Sequence, residues 1–342
     1  MSEAPPFWFD KPGAIAWVLA PFGTLYGHIA AKRMVAPANA AVDIPVLCIG
    51  NLIAGGAGKT PTAIALSRIA RNIGLRPGFL SRGYGGSVNA PTIVDAKTHN
   101  AHDVGDESLI LFQYAITVVS PDRPAGARLL QEQGVDLIIM DDGFQNPSLQ
   151  KDYSLLVIDA GRGIGNGFCI PAGPVRATLS TQLAQSSAIL LIGKSEAGTA
   201  MVRMAARAAK PVLNANMRLR SAMGWSDRRV VAYAGIADPS KFHRSLEEAG
   251  AQIIETRNFH DHHPYSEEEC RELLALADKE GLTLATTEKD ATRLARMGHA
   301  QEVLREKSRV LLVDLEFENT KMAELILRDT VKRAEANRLV RL

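Results

Sequence analysis

Cysteine is scarce. Cys48, Cys169 and Cys270 are the only three in 342 residues, far apart and without a C-x-x-C pair. Neither a disulfide framework nor a thiolate zinc site is expected, and a reducing cytosol fits. No sign of charge dominates either: 39 Lys and Arg stand against 37 Asp and Glu, a formal net charge of +2. That balance gives no electrostatic case for nucleic acid as the main partner. No internal repeat or low-complexity tract is present. A chain of 342 residues that is 46% hydrophobic can bury substantial cores, and its length suggests two domains.

The most informative stretch is Cys48 to Thr62, CIGNLIAGGAGKTPT. A β-branched run ends in Gly50, a glycine-rich loop follows, and Lys59-Thr60 lead into a helix expected to start near Pro61. Gly55, Gly56 and Gly58 let backbone N–H groups turn inward on phosphate oxygens, with Ile53, Ala54 and Ala57 completing the loop. The helix adds its positive dipole end. Lys59 is placed to reach the β/γ-phosphates, and the Thr60 hydroxyl to ligate Mg²⁺. The strict G-x-x-x-x-G-K-[ST] pattern is not met, because Ile53 stands at its first glycine. Strand, loop, Lys-Thr and helix nonetheless occur in the order that a nucleotide triphosphate requires. A guanine-reading Asn-Lys-x-Asp is missing; Thr287-Glu288-Lys289-Asp290 comes nearest and lacks the Asn.

Ala14 to Ala31, AIAWVLAPFGTLYGHIAA, carries no formal charge and is followed at once by Lys32-Arg33. Pro21 and Gly23 interrupt it, and its length is marginal for a spanning helix. Glu3 and Asp10 precede it where a signal peptide would be basic. Trp8, Trp17 and Tyr26 favour a membrane interface and Lys32-Arg33 suit anionic head groups, so interfacial contact is expected ahead of simple packing on the protein body.

Beyond this segment short apolar runs alternate with helical stretches. Strands are expected at 44–49, 77–80, 92–94, 116–119, 135–140, 155–158 and 189–192, with helices at 62–73, 107–114 and 125–133 between them. The expected fold is therefore α/β: a phosphate-loop, doubly wound, mostly parallel sheet with ligands at the strands' carboxyl ends. Around 214–229 the pattern breaks into a polar, basic stretch. A second α/β series follows, with strands at 230–233, 253–255, 283–285 and 310–313 and helices at 239–249, 266–279 and beyond Asn319. The expected division is an N-terminal membrane-interacting segment over 1–35, a core over 36–213, a linker over 214–229 and a smaller α/β domain over 230–342.

Several residues carry potential chemistry. The strand 135–140 runs into Asp141-Asp142-Gly143, and acids at such a strand end hold Mg²⁺ in phosphate-loop enzymes. Asp-Gly is also an ordinary turn dipeptide. Asp106 reads equally as a helix N-cap and as a carboxylate that takes a proton from a hydroxyl. Phe259 to His263, FHDHH, is the densest ionisable cluster, but its adjacency does not match helix-spaced zinc ligands. A solvated polar loop, or a histidine that orients a carboxylate, are the other readings. Arg82 and Tyr84, Arg123 and Arg176 each follow a candidate strand and together can form a cationic rim for phosphate groups.

The order of GNLIAGGAGKTPT, LSRGYGG, GDESLILF, SPDR, DLIIMDDGFQNPSL, LLVIDAGRGIGNGFCIPAGPVR, AGIADPSKF, FHDHHPYS and TTEKDATRL resembles the tetraacyldisaccharide 4′-kinase family over almost the whole chain. The resemblance implies phosphorylation of the 4′-hydroxyl of a tetraacylated glucosamine disaccharide 1-phosphate, giving lipid IVA, with ATP and Mg²⁺. It implies work at the cytoplasmic face of the bacterial inner membrane, on a lipid substrate, with no obligate protein partner evident. It further implies Lys59 and Thr60 for nucleotide and metal, Asp106 with His262 as the proton-accepting pair, and Asp141 and Asp142 in the metal region. Arg123, Gln145 and Arg176 would lie near phosphates or substrate. An irregular phosphate loop without the first glycine is also how this family looks. One departure stands out: the family usually follows the arginine of PAGPVR with Glu, where this chain has Ala177, leaving its metal region one carboxylate short. A phosphate-loop GTPase or metallochaperone, and a membrane-bound ATP-sensing scaffold, are the rival readings.

Overall fold

The structure, a computed structural model, describes residues 4–341. Residues 1–3 of the expected membrane segment, Glu3 among them, and Leu342 at the end of the expected last domain lie outside the described residues. The strands are β1 (Val46–Gly50), β2 (Pro77–Ser81), β3 (Thr92–Ile93), β4 (Thr117–Val119), β5 (Leu137–Asp141), β6 (Tyr153–Asp159), β7 (Ala188–Ile192), β8 (Val212–Leu219), β9 (Arg229–Ala234), β10 (Gln252–Asn258), β11 (Thr283–Thr287), β12 (Ser308–Leu311) and β13 (Val313–Phe317). The helices are α1 (Ala14–Met34), α2 (Lys59–Asn72), α3 (Ala101–Val104), α4 (Asp106–Phe112), α5 (Arg123–Glu132), α6 (Leu179–Gln185), α7 (Glu196–Arg207), α8 (Pro239–Glu248), α9 (Glu267–Glu280), α10 (Glu288–Leu294), α11 (His299–Lys307) and α12 (Thr320–Arg341).

Nine strands form one sheet in the order β13-β8-β7-β6-β1-β5-β2-β4-β3, parallel except for β3 on β4 and β13 on β8. Its central strands are buried on both faces, so they read as continuous apolar runs rather than alternating ones. The period of two still sorts their side chains. Val46, Cys48, Ile138 and Met140 enter one core, while Leu47, Ile49, Leu137 and Ile139 enter the other with α2 and α12. β1 lies between β5 and β6, where strand order reverses and ligands of open α/β sheets bind. A second, all-parallel sheet, β10-β9-β11-β12, has its own cores around Tyr233 and Leu246.

The expected domain boundaries need correction. The stretch taken as a linker begins inside β8, whose Ile189↔Val212 to Ile192↔Ala215 register places it in the large sheet. The expected strand 310–313 is two strands, β12 in the small sheet and β13 in the large one, with only Leu312 between them. After it the chain stays with the first domain: β13 pairs with β8, and Ala323, Ile326 and Leu327 of α12 join the core of Leu47 and Ile49. The second domain is therefore an insertion. Its two crossings meet where the Arg220 N–H donates to the Leu312 carbonyl at 2.9 Å. The Arg220 side chain adds 2.9 Å ion pairing to Asp314.

α1 presents an inverted amphipathicity. Its small residues Ala16, Gly23, Gly27 and Ala31 face inward, while Ile15, Trp17, Val18, Phe22, Leu25 and Ile29 are each 60% exposed or more. The inward stripe is obligatory: a Cβ on Gly23 would sit 2.6 Å from the Cys169 carbonyl, and one on Gly27 2.6 Å from Cys169 Sγ. The helix is thus held close by its small residues and turns its large apolar ones to the outside.

Candidate active site

The loop after β1 is shaped from within. Asn51 Nδ2 donates to the carbonyls of Ile53 and Gly55 at 2.7 and 2.9 Å, and the Ala54 N–H donates to the Pro174 carbonyl at 2.8 Å. Ile53 bridges to Val175 and is buried, so the residue at the missing glycine position anchors the loop in the core. Gly58 caps α2 at φ 89°, with Ile192 Cδ1 where a Cβ would stand, so only glycine turns the chain into the helix here. The helix begins at Lys59, two residues ahead of Pro61, which occupies its first turn where a missing N–H costs nothing.

β5 delivers the acids. Asp141 is buried and its Oδ2 accepts from Thr60 Oγ1 at 3.0 Å, while Oδ1 is buried without a partner among the described residues. Burial pushes the Asp141 carboxyl up to about 7, with Glu107 and Asp142 adding to the rise. A hydroxyl beside an orphaned carboxylate oxygen is a donor set that suits Mg²⁺, which takes one or two carboxylates and completes its shell with water and phosphate oxygens. Asp142 follows at φ 59°. Burial would raise its carboxyl, but Lys59 (Nζ to Oδ2, 3.7 Å) and Arg176 (Nη1 to Oδ1, 3.3 Å) outweigh that and hold it well below the usual range.

Gln145 belongs to the scaffold of the loop. Its Nε2 donates to the Asn51 carbonyl at 2.8 Å and to Gln182 Oε1 at 3.0 Å, leaving Oε1 toward Arg176 at 3.5 Å. Arg123 opens α5 and is buried, with its Nε close against Gly143. Arg82 and Tyr84 are exposed on the loop after β2. Ala177 is fully buried in the apolar core with Val175 and Leu183.

The second half of the site is assembled across the domain boundary. Asp106 begins α4 and is buried; its Oδ1 accepts from the Glu107 N–H at 2.8 Å. His262, at φ 59° in the loop after β10, brings Nδ1 to 3.2 Å from Asp106 Oδ2. The His262 ring lies 5.2 Å from that of Tyr84. Burial alone would lower the imidazole, but the bond to Asp106 raises it above the usual histidine value. The other histidines of the cluster serve their own loop: His263 joins His260 Nε2 at 2.9 Å and Glu269 at 2.9 Å. Among the described residues no group of three or more His, Cys, Asp or Glu is arranged to hold a metal.

Two contacts were not foreseen from the sequence. Arg293 Nε on α10 donates to Asp106 Oδ2 at 2.6 Å, and Lys289 Nζ, one turn earlier, meets Glu107 Oε1 at 2.5 Å. The only sequence signal is a Lys and an Arg four apart on one helix face in TTEKDATRL. The two domains are also joined where Arg162 pairs with Asp238 at 3.2 Å and Lys241 with Asp159.

Comparison with known proteins agrees with this architecture. Residues 15–331 match the family model described as tetraacyldisaccharide-1-P 4′-kinase. The tetraacyldisaccharide 4′-kinase of Agrobacterium fabrum is 49% identical over 340 residues, spanning 99% of this chain and 97% of that protein. That of Rhizobium etli is 50% identical over 327 residues, with 96% and 94% covered, and that of Brucella ovis is 46% identical, with 97% of each covered. A crystal structure of LpxK from Aquifex aeolicus in complex with ATP shares the fold, with a TM-score of 0.70 and 23% identity over 92% of this chain and 99% of that one. The chain belongs to the tetraacyldisaccharide-1-P 4′-kinase family.

Proposed function

We propose that this enzyme transfers the γ-phosphate of ATP to the 4′-hydroxyl of a tetraacylated glucosamine disaccharide 1-phosphate, giving lipid IVA in lipid A biosynthesis. The observation that carries the reading is an Asp106–His262 pair assembled from two domains, with Asp106 buried and His262 half-buried, in a chain that also carries a phosphate loop. Phosphoryl transfer asks a protein chiefly for positioning and charge neutralisation. The loop from Ile53 to Gly58 cradles the phosphates with backbone N–H groups, and Lys59 places its ammonium at the β/γ position. Thr60 and Asp141 would hold Mg²⁺, with Asp142 beside them; when bound, the metal would neutralise charge on the phosphate oxygens. Arg82, Arg123 and Arg176 supply the cationic rim, and Tyr84 flanks the acceptor beside His262.

The acceptor's 4′-oxygen forms its bond to the γ-phosphorus as the β–γ bridging bond breaks and ADP leaves. The hydroxyl proton passes to Asp106, which His262 orients through Oδ2. The lipid acceptor is met at the cytoplasmic face of the inner membrane, where the exposed apolar side chains of α1 enter the interface and Lys32 and Arg33 meet anionic head groups. A guanine-dependent switch has no base-reading motif here, and a passive ATP sensor has no use for a buried carboxylate held by an imidazole. Incubation with γ-labelled ATP and the acylated disaccharide in mixed micelles tests the proposal: label enters the lipid extract. Label found only as free phosphate would overturn it.

A further inference from the structure

Arg293 has no part in the mechanism above, yet it makes the shortest contact to Asp106. It is rooted in the second domain, where Nη1 donates to Asp290 Oδ1 at 2.8 Å and to the Gly235 carbonyl. Asp290 is itself fully buried and accepts from the Gly235 N–H at 3.0 Å, the Tyr265 hydroxyl at 2.8 Å and Thr287 Oγ1 at 2.5 Å. The seat of the guanidinium is therefore fixed by the end of β9, the start of α10 and the chain just before α9. From it Nε crosses to the first domain and meets Asp106 Oδ2 at 2.6 Å, with both side chains under a tenth exposed. Little solvent screens such a pair. Nη2 is buried with no partner among the described residues, a donor left unmade at a real cost, so this arginine is not arranged for structural satisfaction alone.

We propose that Arg293 is a positioning residue for the phosphoryl transfer: reaching from the second domain, it fixes Asp106 in place and keeps its carboxylate ionised, leaving Oδ1 to the acceptor hydroxyl. The inference rests on the reading of Asp106 as the proton acceptor. Oδ1 accepts only the Glu107 N–H among the contacts described, and a carboxylate oxygen has room for a second donor. The charged groups facing Asp106 are His262 from the loop after β10, with Asp261 behind it, Lys289 and Arg293 from α10, and Glu107 on its own helix. Of these, among the described residues, only the side chains of His262 and Arg293 touch it, and of those two only Arg293 carries a permanent charge. Asp106 thus stays ionised whatever the state of His262. It is a weak base for that reason, which a loose phosphoryl-transfer transition state tolerates.

Arg293→Gln removes the charge and tests this directly. The acid limb of the kcat–pH profile should move up by at least about one pH unit, since an opposite charge at this range lowers a carboxyl by 1–3 units. KM for ATP should hold, activity should recover as pH rises, and Arg293→Lys should leave the limb nearer wild type. A fall in kcat that is uniform across pH, with the limb unmoved, would overturn the proposal. Should neither variant fold, carboxyl NMR of the wild type, assigned by difference from Asp106→Asn, supplies the answer. Ionisation persisting below the ordinary aspartate range supports the proposal, and titration within that range overturns it. Asp106→Ala acting at the wild-type rate would remove the underlying reading and this inference with it. An inactive Asp106→Ala beside an unmoved limb in Arg293→Gln overturns this inference alone.

Discussion

Thr60 Oγ1 donates to Asp141 Oδ2 at 3.0 Å, joining the first turn of the helix after the phosphate loop to the end of the neighbouring strand. The bond leaves Asp141 Oδ1 buried and, among the described residues, unpaired, so the carboxylate has one oxygen fixed and one open to a cation. Asp141→Asn should raise the Mg²⁺ concentration needed for half-maximal activity by about 10–100-fold, as loss of a ligand or its support does elsewhere. Thr60→Ala should act in the same direction. A Mg²⁺ titration curve that overlays wild type in both variants would place the metal elsewhere.

Position 177 answers differently from what the family pattern suggests. A Glu there was expected to restore a carboxylate near the metal. Because Ala177 is fully buried among apolar side chains, Ala177→Glu instead strands a charge in the core at a cost of several kcal/mol. Thermal unfolding should show a fall of many degrees or no folded protein. A stable variant with a sharpened Mg²⁺ requirement would show that the loop can turn this position outward.

The histidine pair sets a pH dependence of stability. Contact with Asp106 raises the His262 imidazole above its ordinary value, so its charge strengthens the folded state fully below the unfolded pKa. That contribution is lost as pH rises through the folded pKa. Asn tolerates the left-handed backbone of this position, so His262→Asn removes the charge with little backbone strain. The gap in Tm between wild type and variant should be widest in mild acid and close toward alkaline pH. A gap that widens with pH would mean that the imidazole is held neutral.

Membrane binding should reside in the outward face of α1. Trp17→Ser with Phe22→Ser removes two large exposed apolar groups, at roughly 1.5 kcal/mol each if fully inserted. Partitioning onto anionic vesicles should then drop by about a hundredfold, while activity on a short-chain, micelle-free acceptor survives. Equal vesicle binding would assign the membrane contact to another surface. The inward face predicts the opposite split: Gly27→Leu meets Cys169 and should undock the helix.

The central sheet was legible because its strands are doubly buried and punctuated by Gly and Pro, and the phosphate loop because its chemistry is local. β8 and β13 were not. Their burial alternates as in an edge pair, and basic residues such as Arg218 and Arg220 made the stretch read as a linker. The pairing of Asp106 with His262 was legible through the order of motifs, not through spacing, since 106 alone read equally as a cap. Arg293 escaped because its partner lies 187 residues away, and a contact between separately folded domains leaves no local period to read. Gln145 was placed near substrate from its motif, whereas its hydrogen bonds run to Asn51 and Gln182.

The most direct test of the account is tandem mass spectrometry of the tetraacylated disaccharide 1-phosphate after incubation with the enzyme, ATP and Mg²⁺. The account predicts a product heavier by one phosphate carried at the 4′-position of the distal sugar. Lys59→Ala should make it at least about 100-fold more slowly at saturating ATP, because it lacks the ammonium aimed at charge that grows in the transition state. An unchanged lipid mass while ATP is consumed, or a product formed as fast by Lys59→Ala, would contradict it.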